Sequence, residues 1–63
     1  MTVYYQRGSC TFGSLIVMRC EDENRNTITK RRYIDYSLRE AFKRIKKAAG
    51  IKRAKLVKVD WLI

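Results

Sequence analysis

The chain has 63 residues, with 15 Lys and Arg against six Asp and Glu and a formal charge of +9. That length supports one domain with a small core, and a hydrophobic content of 46% with seven aromatics excludes a disordered basic tail. The longest apolar run, Leu15–Met18, falls far short of the roughly 20 residues that span a bilayer.

Thr2–Arg7 reads as a short aromatic strand, with Val3 and Tyr5 on one face and Tyr4 and Gln6 on the other. A turn is expected within Gly8–Gly13. Ser14–Cys20 is continuously apolar at its centre, which suits a central strand shielded on both faces or covered by a dimer partner. The run from Glu21 to Asn26 is polar and rich in turn formers, so it reads as a hairpin loop. It lacks the alternating oxygen ligands of a calcium loop. Thr27–Ile34 resumes β character, interrupted by Lys30, Arg31 and Arg32. On a strand, Lys30 and Arg32 project together while Arg31 goes to the opposite face.

The clearest element is a helix over Leu38–Ala49. Ser37 and Glu40 form an S-x-x-E capping box at its start. Leu38, Ala41, Phe42, Ile45, Ala48 and Ala49 recur at helical spacing and make a single core-facing stripe. Gly50 offers the left-handed closing position, after which Ile51 can fold back on Ile45. Lys55–Leu62 alternates as a last strand: Val57, Val59, Trp61 and Ile63 face one way, Lys58 and Asp60 the other. On that pattern Trp61 belongs to the core rather than to a binding surface.

The expected fold is therefore a single compact basic domain, residues 1–63, of the α+β class. Its order is β-β-β-α-β: a single-layer, antiparallel-based sheet packed against one amphipathic helix. A right-handed crossover makes the third and fourth strands run the same way. The preferred order places the last strand beside the first. One helix covers only one sheet face. A symmetric homodimer is expected to bury the other, the alternative being a monomer roofed by Tyr and Thr side chains.

Several functional classes are disfavoured. With no His and only two Cys, one chain cannot assemble a four-ligand zinc site without carboxylates, and no cofactor is expected. Cys10 and Cys20 read as small, semi-buried free thiols on strands. A disulfide stapling the first hairpin would run against a reducing compartment, and the cytoplasm is the expected setting because the N-terminus lacks a secretory pattern. The acids gather in a turn and no Ser or Cys has an evident base partner, so an enzyme is not expected.

The charge distribution carries the functional expectation. Arg25–Lys58 holds 13 basic residues against Asp35 and Glu40, a balance of +11, whereas residues 1–24 sum to −1. Such an electrostatic face favours polyanions. The expected partner is nucleic acid, DNA or RNA, bound through phosphate contacts from Lys30, Arg32, Arg39, Lys43, Arg44, Lys47, Lys52 and Arg53. Tyr33 and Tyr36, beside the strand cluster, can stack on exposed bases, although packing with a free hydroxyl is the commoner role. Two competing roles are weighed against this: edge protection by the strand cations, and helix-dipole stabilisation by Lys46 and Lys47. The alternative partner is an acidic protein surface, which a basic face steers equally well.

Overall fold

A computed structural model describes every residue from Met1 to Ile63. Three strands, β1 (Thr2–Cys10), β2 (Gly13–Glu21) and β3 (Thr27–Ile34), precede helix α1 (Leu38–Ala49) and a short β4 (Lys55–Lys58). The element order is the expected β-β-β-α-β. The four strands form one sheet in the order β3-β2-β1-β4, antiparallel across β1–β2 and β2–β3 and parallel across β1–β4. The last strand thus lies beside the first, as in the preferred order, and runs with β3, as the crossover argument expects.

Helix α1 begins and ends by local chemistry. The Ser37 hydroxyl accepts from the Glu40 amide at 3.1 Å and donates to the Glu40 carboxylate at 3.3 Å. The reciprocal half of the box therefore uses the hydroxyl rather than the Ser37 amide. At the other end Gly50 adopts φ 71°, and the amides of Gly50 and Ile51 donate to Lys47 and Lys46 carbonyls, a Schellman close. Ile51 then packs against the core that contains Ile45. Ala48 departs from the expected stripe: it is exposed, although it lies only about 20° around the helix from the fully buried Ala41.

The main core lies between sheet and helix. Val3, Ile16, Met18 and Cys20 from the sheet meet Ala41 and Ile45, with Tyr5, Tyr33, Leu38, Phe42 and Leu56 around them. A second, smaller cluster of Leu15, Val17 and Leu62 occupies the opposite sheet face. The last strand is shorter than its alternation predicts. Strand β4 stops at Lys58, with the Val59 amide completing its ladder to β1, and the residues that follow bring Leu62 onto the face that the helix does not cover. The Val59 amide donates to the Tyr5 carbonyl at 2.9 Å. The Leu62 and Ile63 amides both donate to Gln6 Oε1, at 2.7 and 2.8 Å. Leu56, not Val57, is the β4 residue that reaches the main core, and Trp61 is 52% exposed instead of buried.

This tail removes the ground on which a dimer was expected. Leu15 and Val17 are buried on the second face by Leu62, a residue of the same chain. No helix is long and apolar enough to cross a membrane.

The first hairpin is also longer than expected. Gly8, Ser9 and Cys10 pair with Leu15, Ser14 and Gly13, so the turn contracts to Thr11 and Phe12. Gly13 makes this reversal, at φ 135°, and a Cβ there would overlap the Asp35 carboxylate. Asp35, itself at φ 59°, accepts from the Ser14 amide at 3.1 Å and donates its own amide to the Ser14 carbonyl at 2.9 Å. The second hairpin is organised by Asp22, whose Oδ1 accepts from the amides of Asn24 and Asn26. Cys10 is exposed rather than semi-buried, while Cys20 is buried and its thiol pKa is raised by burial. The two lie at opposite ends of the hairpin, seven residue pairs or about 24 Å apart, far beyond disulfide reach.

Candidate nucleic-acid interface

Strand parity and helical angle decide where each cation points. On β3, Arg31 pairs with Met18 and Tyr33 with Ile16, so both lie on the helix side of the sheet. Lys30 and Arg32 pair with Arg19 and Val17, on the side the tail crosses. Strand β3 is a sheet edge, so its three consecutive cations decorate both faces of one rim.

Helix α1 packs over β2 and β3. At about 100° per residue, Arg44, Lys47 and Glu40 fall on one flank, with Lys43 near the crest, and Arg39 and Lys46 on the other flank. The first flank faces the β3 rim. Arg44 places its guanidinium 4.9 Å from the centre of the Tyr36 ring, and Tyr36 meets Tyr33 edge-on at 5.4 Å. Burial raises the Tyr33 hydroxyl pKa, and the nearby positive charges of Arg31 and Arg44 oppose that shift. Glu40, Lys43, Arg44 and Lys47 line a shallow, solvent-open depression on the outer helix surface. On the far flank Lys46 instead caps the Phe42 ring at 4.4 Å.

Five of the eight candidate residues thus fall into two groups on opposite faces of the sheet: Lys30 and Arg32 on the tail side of the β3 rim, and Lys43, Arg44 and Lys47 on the helix side. Arg39 points to the far flank of the helix. Lys52 and Arg53 precede β4, at the opposite sheet edge and about 14 Å across the strands from β3. Arg31 was not among the candidates, yet it joins the helix flank to the rim. Sequence position shows only that it shares a face with Tyr33, two residues on; the packing of Tyr33 against the core puts that face under the helix.

The cations are almost entirely free of acids. Arg19 and Glu21, at 2.7 Å, form the only ion pair within 4.0 Å. The remaining acids on the basic half have other duties. Asp35 holds Ser14, and Glu40 holds Ser37 rather than pairing with Lys43 or Arg44. Guanidinium and ammonium groups left in this state can take phosphate oxygens without first breaking an ion pair.

A second aromatic site lies on the tail side. Tyr4 and Arg19 are directly opposite on β1 and β2. Trp61 rests on the pair, 5.5 Å from the Tyr4 ring and 4.7 Å from the Arg19 guanidinium carbon. Arg19 Nε is buried with no hydrogen-bond acceptor. Comparison of the chain with protein-family models, with curated proteins and with solved structures yields no match.

Proposed function

We propose that this protein is a non-enzymatic nucleic-acid-binding domain. It holds the phosphate backbone of DNA or RNA around the β3 rim and the adjoining flank of α1. The contacts come from Lys30, Arg31, Arg32, Lys43, Arg44 and Lys47. The observation that carries the reading is the near absence of intramolecular ion pairs in a chain of charge +9. Solubility alone is served by mixed signs, and edge protection needs only β3. Neither accounts for unpaired cations continuing from the rim onto the helix. Arg39, Lys52 and Arg53 add long-range attraction rather than contacts at this surface. The protein acts as a monomer, because its own tail supplies the cover expected of a second copy. Its setting is the cytoplasm, where two thiols too far apart to pair are in keeping with reducing conditions.

Binding is expected to be steep in salt and indifferent to base sequence. Six neutralised phosphates, one for each of these cations, give a slope of log affinity on log salt of about −5.4 for duplex and about −4.2 for single strands. Fluorescence anisotropy with labelled, scrambled oligonucleotides across a salt series measures it. A flat salt response, or no binding at low salt, would overturn the reading. An acidic protein partner is the second reading, favoured by Ile28 and Ile34, which stand exposed beside Lys30 and Arg32. Tight, salt-steep binding to an acidic polypeptide without binding to oligonucleotides would establish that reading instead.

A further inference from the structure

The exposed tryptophan has no role in the fold that requires its exposure, yet the backbone on either side of it is tied down. Residues on either side are anchored: Val59 bonds to Tyr5, and the Leu62 and Ile63 amides share the Gln6 carbonyl oxygen. Leu62 is driven into the second core at 6% exposure, which turns Trp61 outward. The indole then lies on Tyr4 and Arg19, and Glu21 fixes the Arg19 head. With both supports on the sheet side, the outer ring face is left to solvent. A flat aromatic surface of fixed orientation loses little entropy on binding a second flat ring.

What surrounds the indole identifies the ring that fits. Tyr4, Arg19, Glu21, Arg25 and Trp61 line an open recess of about 400 Å³, within the roughly 300–1,000 Å³ range of small-molecule sites. Lys30 pairs directly with Arg19 on the same sheet face, Arg32 follows it on that face, and Arg25 stands on the rim of the recess. An aromatic platform flanked by cations matches an unstacked base with phosphates on either side. Lys30 and Arg32 also belong to the β3 rim, so the platform continues the phosphate-binding surface.

We propose that Trp61 is a stacking platform for an unpaired nucleobase, which makes single-stranded nucleic acid the preferred ligand. The inference rests on the nucleic-acid reading and narrows it. A duplex keeps its base faces stacked internally and offers the indole nothing to cover except at its ends. A single strand can run along the rim and lay one base on Trp61.

Trp61 is the chain's sole tryptophan, so its fluorescence reports on the platform directly. Oligothymidylate and a hairpin duplex of similar length serve as probes, with saturation established by anisotropy of a label on the oligonucleotide. Oligothymidylate is expected to quench the tryptophan emission in step with binding, and the duplex to leave it largely unchanged. Trp61→Leu keeps an apolar cover over Tyr4 while removing the large π surface. It is expected to weaken oligothymidylate binding roughly 5- to 150-fold and to leave duplex binding as it was. Trp61→Phe is expected to fall between Trp61→Leu and the parent chain. Circular dichroism establishes that each variant is folded, and the quenching of the parent chain stands without either variant. Saturation without quenching overturns the stacking platform and leaves the phosphate interface intact. Equal losses of single-strand and duplex affinity in Trp61→Leu overturn it likewise. Failure of both probes to bind overturns the nucleic-acid reading together with it.

Discussion

Replacing Lys43 and Lys47 together by Glu is expected to weaken nucleic-acid binding by at least about a hundredfold while leaving the fold intact. Each phosphate contact contributes a factor of about 8 at 0.1 M salt, from a slope of roughly 0.9 per contact. Losing two contacts therefore costs about 60-fold, and the added repulsion of two carboxylates extends the loss. The salt slope should also fall by roughly 2. Both residues are exposed, and neither forms an ion pair or belongs to the apolar stripe. Lys47 also lies in the last helical turn, so its reversal opposes the helix dipole by about 0.3–1 kcal/mol. That is too little to unfold the domain. The same double substitution at Arg39 and Lys52, away from the rim, is expected to cost far less affinity at equal change in net charge. Equal losses from the two pairs would mean that net charge alone governs binding, with no localised interface.

Leu62→Ala is expected to be the most damaging single change outside the main core. Leu62 is buried against Leu15 and Val17, and truncating such a side chain costs about 2–5 kcal/mol. A 63-residue domain has only about 3–9 kcal/mol of stability in total at typical values per residue. The urea midpoint should fall steeply. Ile63→Ala, at a residue that is 60% exposed, is expected to be mild by comparison. Ending the chain at Lys58 removes the whole cover from Leu15 and Val17. The shortened chain is expected to self-associate in sedimentation equilibrium, while the 63-residue chain runs at about 7.5 kDa. A shortened chain as stable and as monomeric as its parent would show that the tail contributes nothing to the second core.

Local signals were legible in the sequence, and long-range captures were not. The helix was readable because its cap at Ser37, its stripe and its closing Gly50 are set by neighbours within a few residues. The shared direction of β3 and β4 followed from crossover handedness, which needs only the order of elements, whereas the place of β4 beside β1 was a preferred order that handedness does not fix. The end of β4 could not be read in the same way. Val57, Val59 and Trp61 continue a clean alternation, but the tail's anchor is the Gln6 side chain, 56 residues from Leu62. A single side chain that accepts two distant amides leaves no periodic trace. Hydropathy then misplaced Trp61, because burial of Leu62 decides the outcome for its neighbour. The candidate cations were divided for a related reason. A sequence position shows that Lys30 and Arg32 share a face, but only the packing of Tyr33 under the helix shows that Arg31 belongs with Arg44.

Amide chemical-shift mapping with a short oligothymidylate tests the location of the interface most directly, since every residue of so small a domain can be followed. The account predicts saturable shifts concentrated in Lys30–Tyr33, Tyr36 and Lys43–Lys47, together with the Trp61 indole N–H. The segment Gly50–Ala54 should move little. Shifts confined to Lys52, Arg53 and the β4 edge, or no shifts at β3 and α1 under saturating oligonucleotide, would contradict it.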